Sequence, residues 1–583
     1  MPLPVILDGL LRDFPARTAI CNTVVTGDIA GQLADRGFTV VSLIHELSQL
    51  IRERNLEGCA ETVAAKADAV IFASEFVKNS FEKITGPLND KATVQPQGIY
   101  QHVGHSPDRR HELREKLGLS AQSKVVLNMG FGDLRKGFDL FVGVAKQVVA
   151  ANPSCHFVWL GNLQADLKHW LQIDLLEAPL AGHFHVLPFD DDVDLYLNGA
   201  DVYALTSRED PFPSVVLEAL ACGVPVVGFE GGGGYPEAIE RESVNGTVVP
   251  MADVNAMANA VLGMLMESDP DAAVVRAAKA AQTYDWRDYV FGLLQAVLPG
   301  LKKISVVLPN YNYAPYLAER LGSIFDQEYP IYELIILDDK STDDSVAVIN
   351  ELLSSANRSA NVIVNTTNSG SVFKQWEKGA RLATGDWVWI AEADDACTPE
   401  FLRDLAGEVN PDTKVAFCDS VQIDSNGQEL GRSYGFYFSD LPSNPMSSTF
   451  SMNGSDFVSA TLAIKNVILN VSSVVFNRPA LLDVFDEYSA VIQSYKVAGD
   501  WFIYTTMLSQ QNAQVVYVHR SHNIHRRHAT SVTHALARQR HLEEIERVQS
   551  LAAEKNQLCE NVADAAERYL REVTQQLESR DQD

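Results

Sequence analysis

The chain has 583 residues, of which 46% are hydrophobic and 21% charged, the composition of a globular protein too long for one core. Its 47 basic and 76 acidic residues give a formal charge of −29, which argues against nucleic acid or a bare anionic membrane as the main partner. The seven cysteines include no CxxC pair, the N-terminal stretch lacks the features of a signal peptide, and no apolar run approaches the roughly 20 residues that span a bilayer. We therefore expect a cytoplasmic protein, either free or bound peripherally at the inner face of the membrane.

Residues 1–105 alternate between strand and helix signals, with the strand-like runs TAICNTVV, FTVVSLIHE and DAVIFAS. Alternation of this kind predicts a parallel sheet with helices on both faces. The block is short for a nucleotide-binding domain and begins in the middle of the pattern. We therefore expect this first domain to be abbreviated or incomplete.

Residues 106–296 repeat the scheme, with strand-like runs KVVLNMGF, HFVWLGN, HFHVLPF, ADVYALTS and VPVVGFE, and end in a largely helical stretch. VLPGLKK is a plausible linker. The pattern then restarts with ISVVLPNYN and YELIILDDKSTDDS, and this third block extends over residues 303–533. The predicted fold class is α/β, with two doubly wound domains followed by an independent third.

The tail, residues 534–583, carries apolar residues at steps of three and four, from Leu542 and Ile545 to Val573 and Leu577. This spacing marks one stripe of a helix. The stripe fits a helix packed on its own protein, and it also fits a coiled coil through which the protein would form an oligomer.

Three polar segments follow strands in the third block: PNYN from Pro309, LDDKSTDDS with Asp338 and Asp339, and EADD from Glu392. Ligands bind outside the carboxyl ends of parallel strands. The three segments resemble the P-x-Y-N, V-D-D-x-S-x-D and D-x-D-D motifs of the family 2 glycosyltransferases, which have the GT-A fold. The resemblance implies that Pro309 and Tyr311 line a nucleotide base and that Asp338 and Asp339 belong to the donor site, with Asp339 bonded to the base.

The acids of EADD repel one another and need a positive charge if they are buried together. By the resemblance, Glu392 stands at the ribose-contacting position, where the family has Asp, and Asp394 binds a divalent metal. Mg²⁺ or Mn²⁺ prefers oxygen ligands and bridges the two phosphates of a donor. Asp395 either braces the loop or faces the acceptor.

Two later residues complete the resemblance. Asp500, in KVAGDWFIY, stands at the position of the general base that takes the acceptor's proton in an inverting displacement. HRRHATSVTH resembles the family's Y-R-x-H-x-x-S with His525 at the Tyr position, which makes His528 a candidate third metal ligand or diphosphate contact. Taken singly, Asp500 also fits a helix cap, and His528 a surface histidine.

In the second block, MGFGDLRKGFDLF follows a strand and opens a helix. Gly130 and Gly132 allow the backbone to approach a phosphate, and Arg135 and Lys136 bring positive charge. Because no GK[ST] follows the later glycine run, that run is not a P-loop.

SREDPFPSVVLEALACGVPVVGFEGGGGYPEAI resembles the C-terminal half of the family 4 glycosyltransferases, which have the GT-B fold. The family's two glutamates are separated by seven intervening residues and fall on Asp210 and Glu218 here. Glu209 is an alternative to Asp210 for the first of these positions. The resemblance implies that Glu218 holds the ribose hydroxyls and that Arg135 and Lys136 hold the diphosphate. It places Gly232, Gly233 and Glu237 in the loop that meets the donor.

LIHELSQLIRE and ADAVIFASEFVKNSF resemble the later half of the acceptor-side domain of the same fold. His45 would then lie at the cleft with Glu46 beside it, although a lone histidine at a strand end also fits a structural hydrogen bond. The strand and glycine-rich loop that usually open such a domain are not recognisable.

Together the resemblances imply a bifunctional glycosyltransferase, with a GT-B unit of two Rossmann-like domains, a GT-A domain and a helical tail. Its partners would be nucleotide-sugar donors and a glycan or lipid-linked glycan acceptor of a bacterial surface polysaccharide. Two alternatives remain. In one, only the GT-A site is active and the GT-B part docks the acceptor; in the other, the protein is a binding scaffold with degenerate sites.

Overall fold

The computed structural model describes residues 3–13, 17–241, 245–267, 269–528 and 538–580. The chain forms two compact units, residues 1–300 and 301–583. The predicted α/β class is confirmed in both units. The predicted boundary between residues 533 and 534 lies outside the described residues. Among the helices that the structure describes, none combines the length and the apolar character needed to cross a membrane.

The first unit begins with a parallel sheet that has four strands in the described residues, in the order β1-β2-β3-β4. Its strands are β1 (Thr18–Asn22), β2 (Thr39–Ile44), β3 (Ala69–Phe72) and β4 (Ala92–Val94). The helices of this part are α1 (Leu3–Asp13), α2 (Gly27–Ala34), α3 (Ser48–Glu53), α4 (Glu57–Lys66) and α5 (Glu75–Thr85). One face of the sheet packs on helices α2 to α5, and the other packs on the last helix of the unit, residues 286–297.

The second sheet of this unit has six parallel strands in the order β10-β9-β8-β5-β6-β7. The strands are β5 (Lys124–Met129), β6 (Cys155–Leu160), β7 (Phe184–Leu187), β8 (Val202–Leu205), β9 (Val226–Phe229) and β10 (Gly246–Val249). The helices are α6 (Arg109–Leu117), α7 (Phe138–Ala151), α8 (Ala165–Leu176), α9 (Val193–Gly199), α10 (Ser214–Ala221), α11 (Tyr235–Glu240), α12 (Val254–Met266), α13 (Pro270–Thr283) and α14 (Trp286–Val297). The strand order reverses between β5 and β8, and doubly wound sheets bind ligands at that switch point.

The second unit is built on one mixed sheet in the order β13-β12-β11-β14-β19-β16-β20-β15, with β17 and β18 paired at its sides. Its strands are β11 (Ile304–Asn310), β12 (Glu333–Asp338), β13 (Asn361–Val364), β14 (Trp387–Ile390), β15 (Ala396–Cys397), β16 (Thr413–Ile423), β17 (Glu429–Gly431), β18 (Phe450–Asn453), β19 (Val474–Asn477) and β20 (Gln514–Arg526). The first four strands of the unit are parallel, and β11, buried along its length, is the nearly continuous apolar run of a parallel strand covered on both faces.

The helices of the second unit are α15 (Leu317–Phe325), α16 (Ser345–Ser355), α17 (Val372–Leu382), α18 (Phe401–Glu408), α19 (Gly454–Phe457), α20 (Arg478–Ser494), α21 (Gly499–Leu508), α22 (Arg538–Lys555) and α23 (Glu560–Arg580). The last two come from the tail, and their apolar stripe, which includes Ile545, Val548 and Val562, is buried in the core of their own unit. The structure therefore matches the first reading of the tail, a helix packed on its own protein.

Candidate functional site

A cavity of about 600 Å³ opens at the carboxyl ends of the parallel strands in the second unit. It is lined on one side by Pro309, near the end of β11, by Tyr311, directly after β11, and by Asp339 after β12. Glu392, after β14, and Asp500, at the start of α21, line it further on. The structure thus brings residues of all the predicted motifs except the histidine segment to one cavity.

Asp338 and Asp339 have different surroundings although they are adjacent. Asp338 is fully buried and accepts hydrogen bonds from Asn310 Nδ2 at 2.8 Å and from the Ser341 amide at 2.9 Å, so it holds the loop behind the cavity. Asp339 lies at the cavity wall, where it accepts bonds from Ser369 Oγ and Asn365 Nδ2, each at 2.7 Å. Asp339 also accepts the Ser369 amide at 2.8 Å and Gln375 Nε2 at 3.0 Å. These four donors fill the roughly four acceptor positions of a carboxylate, so a nucleotide base must displace one of them to bond Asp339.

Glu392 lies against the cavity wall, where its Oε1 accepts a hydrogen bond from Trp376 Nε1 at 2.6 Å. Burial, followed by the charge of Asp394, raises the pKa of Glu392 to about 8. At neutral pH the neutral acid therefore predominates, and it can donate a hydrogen bond as well as accept one.

Asp395 is buried behind the turn and is not available to a ligand. Its Oδ2 accepts bonds from Ser472 Oγ at 2.6 Å and from Asn470 Nδ2 at 2.9 Å, and its Oδ1 accepts the amide of Arg526 at 2.9 Å. Of the two roles predicted for Asp395, the structure matches the bracing of the loop.

Asp394 and His528 come together because β15 pairs with β20, with Ala396 opposite Ile524. His528 Nε2 lies 2.9 Å from Asp394 Oδ2, and this hydrogen bond raises the pKa of the imidazole. The guanidinium of Arg526 donates to the Asp394 carbonyl at 2.8 Å and fixes the turn.

The donor set fits a divalent cation held jointly by the protein and a diphosphate. In the part of the chain that the structure describes, no three His, Cys, Asp or Glu side chains converge in the geometry of a metal site. Mg²⁺ is nevertheless commonly held by one or two carboxylates together with substrate phosphates and water. Asp394 is such a carboxylate, and His528 would be a second ligand only as the neutral imidazole.

Asp500 has the environment of a general base. Burial raises the pKa of its carboxyl to about 7, while hydrogen bonds from the Trp501 amide at 2.7 Å and Asn466 Nδ2 at 3.1 Å oppose the shift. A base with a pKa near the working pH transfers protons most efficiently.

The candidate site of the first unit lies at its switch point, where loops follow β5 and β8. Lys136, after β5, forms a buried ion pair with Asp210, after β8, and Ser207 Oγ donates to the same carboxylate at 3.3 Å. Arg135 is exposed and donates from Nη1 to the Glu209 carbonyl at 2.9 Å. Lys136 therefore pairs with the Asp210 side chain, while the charge of Arg135 acts on the Glu209 carboxyl.

The glycine-rich loop packs directly on this pair. A Cβ on Gly233 would lie 1.7 Å from the carbonyl oxygen of Asp210, so only glycine permits the approach. Gly232 is equally confined, since its Cβ would lie 2.4 Å from the Tyr235 hydroxyl. Glu218, on α10, is 4% exposed, and burial raises its pKa.

Two further predicted residues of this unit, Glu237 and His45, make hydrogen bonds within the protein. Glu237 accepts the amides of Glu75 at 3.1 Å and Phe76 at 2.9 Å, and so caps the first turn of α5 in the four-stranded part. His45 lies at the end of β2 with Nε2 2.9 Å from Asn22 Oδ1, and burial lowers its pKa. The structure shows neither side chain beside the Lys136–Asp210 pair.

Sequence reasoning missed Arg320, a fully buried cation 4.8 Å from the ring centroid of Trp389. Its charge opposes the upward pKa shifts of Glu392 and Asp395 and so matches part of their negative charge. The signal was present, because Arg320 lies between Leu317, Leu321 and Ile324 on the apolar stripe of α15.

Each unit contains a segment that matches a known family model. Residues 305–472 match the model of "Glycosyl transferase family 2", and residues 109–281 match that of "Glycosyl transferases group 1".

Among curated relatives, the chain is 32% identical over 149 residues to the lipopolysaccharide core biosynthesis glycosyltransferase LpsE of Rhizobium meliloti (strain 1021), covering 25% of this chain and 41% of LpsE. It is 30% identical over 112 residues to the poly(ribitol-phosphate) beta-N-acetylglucosaminyltransferase TarS of Staphylococcus aureus (strain Mu50 / ATCC 700699), covering 19% of each. The chain thus spans less than half the length of either relative. A crystal structure of Anabaena HepE in complex with UDP is 21% identical with a TM-score of 0.45, covering 51% of this chain and 82% of HepE.

Proposed function

We propose that this chain, which joins a glycosyl transferases group 1 segment to a glycosyl transferase family 2 segment, is a bifunctional glycosyltransferase of bacterial surface glycan synthesis. Each unit moves a sugar from a nucleotide-sugar donor to the growing glycan. The observation that carries the proposal is the cavity of the second unit. Tyr311, Asp339, Glu392 and Asp500 line this one space, and the pKa of Asp500 is raised to about 7. The names of LpsE and TarS, which act on lipopolysaccharide core and on poly(ribitol-phosphate), support a surface glycan as the acceptor.

In the second unit, Tyr311 and Pro309 hold the base of the donor, and Asp339 orients it. Glu392 contacts the ribose, and Asp394 and His528 hold a divalent cation. When bound, that cation stabilises the charge that builds up on the leaving diphosphate.

Asp500 takes the proton of the acceptor hydroxyl as its oxygen attacks the anomeric carbon, and the single displacement inverts the configuration. The ionised carboxylate accepts that proton, and its hydrogen bond from Asn466 Nδ2 keeps it aimed along the cavity wall. The wall residues Trp376 and Tyr495 limit the access of water to the donor sugar.

In the first unit, residues 1–105 form the acceptor side and residues 106–296 the donor side of a retaining transferase. Lys136 and Arg135 bring the positive charge that a donor's diphosphate requires, and Glu218 bonds the ribose hydroxyls. Gly232 and Gly233 allow the backbone to approach the donor, and Asp210 meets the donor sugar. His45 lies at the cleft on the acceptor side, and Glu237 belongs to the glycine-rich loop that meets the donor.

A second candidate function is that only the family 2 unit catalyses transfer while the first unit docks the acceptor. The four-stranded sheet of the described N-terminal residues favours it, because this sheet offers less surface for an acceptor site than the six-stranded one.

Nucleotide-sugar hydrolysis by the full chain, with and without EDTA, separates these functions. Turnover that survives EDTA together with turnover that EDTA abolishes supports two active sites. Only EDTA-sensitive turnover supports the second candidate, and no turnover with any nucleotide sugar contradicts both.

A further inference from the structure

The segment that precedes Asp500, residues 495–498, forms a wall of the cavity in the second unit. It joins α20 to α21, and Tyr495, Lys496 and Val497 line the cavity. Because only two residues separate Val497 from Asp500, the conformation of this wall sets where the Asp500 carboxyl lies.

Three consecutive amides of the wall converge on one carboxylate from the C-terminal helices. The Lys496 amide donates to Glu544 at 2.9 Å to Oε1 and 3.1 Å to Oε2, while the Val497 and Ala498 amides donate to Oε2 at 2.9 and 3.1 Å. Hydrogen bonds to an ionised acceptor are about twice as strong as neutral ones. Since these amides lie next to the N-terminus of α21, the helix dipole also favours the negative charge of Glu544.

Glu544 is anchored on its own helix by burial. It is 3% exposed on α22, and its neighbours Ile545 and Val548 are buried in the same core as Tyr495 and Ala498. A buried carboxylate is retained only where its acceptors are satisfied, and here the backbone of the cavity wall satisfies them together with Arg540, whose Nε donates to Glu544 Oε1 at 3.4 Å. The match to family 2 ends at residue 472, so this contact joins two segments that lie beyond it.

We propose that Glu544 is a positioning residue of the second unit's site, a carboxylate that the C-terminal helices supply to fix the cavity wall and thereby to place Asp500. The inference rests on the proposed function, because it takes Asp500 as the base. Displacement of a reacting group by about 1 Å costs up to roughly a hundredfold in rate. The C-terminal helices are therefore part of the catalytic unit.

The charge of Glu544 also acts on Asp500, since it contributes to the raised pKa of that carboxyl, after burial. The other titratable groups around Asp500 are Lys496 on the wall, Tyr504 on α21 and Glu392 across the cavity. Removing the Glu544 charge therefore moves the acid limb of the pH–rate profile to lower pH.

The test compares Glu544→Gln with Glu543→Gln in the full chain. Glu543 is the adjacent, exposed glutamate on α22, and its carboxylate accepts a hydrogen bond from Gln539 Nε2 on the same helix. In Glu544→Gln we expect kcat of the metal-dependent transfer to fall by about 10- to 100-fold, with the donor KM within about twofold of wild type. Hydrogen exchange at amides 496–498 should rise about tenfold, because charge-assisted bonds are lost. Glu543→Gln should match wild type in all three measurements.

Glu544→Asp keeps the charge on a shorter side chain, and we expect it to restore the wild-type position of the acid limb and part of kcat. Glu544→Asp also tests the inference if Glu544→Gln does not fold. If folded Glu544→Gln has the wild-type kcat and pH profile, the inference is overturned. It is also overturned if the loss of kcat is fully explained by the fraction of the variant that is unfolded. If wild type itself shows no metal-dependent transfer, the proposed function fails, and the amide exchange still tests the contact.

Discussion

The two candidate sites differ in how their acidic side chains are matched by positive charge. In the first unit, the buried Asp210 is paired within the protein by Lys136, and Arg135 lies exposed beside them. In the second unit, the charge of the buried Arg320 acts on Glu392, and the imidazole of His528 is hydrogen-bonded to Asp394. Under the proposed function, the first site would meet a diphosphate with its own cations, whereas the second would need a divalent metal brought with the donor.

Under the proposed function, this difference would let one fold class serve two kinds of transfer. Both candidate sites lie where parallel strands end, so the fold determines their place. The charge around each loop would then determine whether a metal takes part, which can be tested one site at a time.

The largest effect is expected for Asp394→Ala. Loss of the metal ligand should lower kcat of the second unit by about 10³-fold or more, because Lewis-acid stabilisation of a leaving diphosphate is worth several kcal/mol. Enzyme kinetics with a donor of this unit measure it. Asp386→Ala is the matched control, because this exposed aspartate lies just before β14, the strand that leads to Asp394. A variant with wild-type, EDTA-sensitive kcat would remove Asp394 from the metal site.

Asp500→Asn should lower kcat of the same unit by about 10²- to 10⁴-fold, the contribution of a general base. In the wild type, the ionised carboxylate is the active form, and its pKa is raised to about 7. The rate should therefore fall as the pH drops below about 7, and Asp500→Asn should lose this limb. Asp483→Asn, an exposed aspartate on α20, should keep it.

Glu218→Gln should act on the first unit alone. Replacing a buried acid that bonds ribose hydroxyls should lower kcat/KM of EDTA-resistant transfer by about 10- to 100-fold, because hydrogen bonds to charged groups contribute about 1.5–3 kcal/mol. Glu240→Gln, at an exposed position on α11, is the control. Unchanged kcat/KM in Glu218→Gln would favour the docking role for this unit.

The smallest effect is expected for Tyr311→Ala. Tyr311 is 45% exposed on the cavity, and loss of base stacking should raise the donor KM of the second unit by about tenfold with kcat little changed. Tyr311→Phe keeps the ring and should retain the wild-type KM. If both variants raised KM equally, the hydroxyl rather than the stacked ring would hold the donor.

The sequence was sufficient to predict the α/β class and the strands that bear the motifs, because apolar runs with polar ends are a local signal. The resemblance singled out Asp339 as the base contact, but the residue pattern alone could not separate it from Asp338. Neighbouring residues at a strand end point in opposite directions, and the structure turns only Asp339 to the cavity.

Contacts distant in sequence were also beyond reach. Glu237 was expected in the donor loop, but its bond to the first turn of α5, more than 150 residues earlier in the chain, could not be predicted. Glu544 stands four residues before Val548 on the buried stripe of α22, and an acidic residue is unusual on such an apolar stripe. Only the packed structure shows that three wall amides satisfy it.

The most direct test of two independent sites is linkage analysis of the products that Asp394→Ala and Glu218→Gln form from one acceptor and a set of nucleotide sugars. Two sites predict that Asp394→Ala loses only the linkage that EDTA abolishes in wild type, while Glu218→Gln loses only the EDTA-resistant one. If either single substitution removed both linkages from a folded protein, the account of two independent sites would be contradicted.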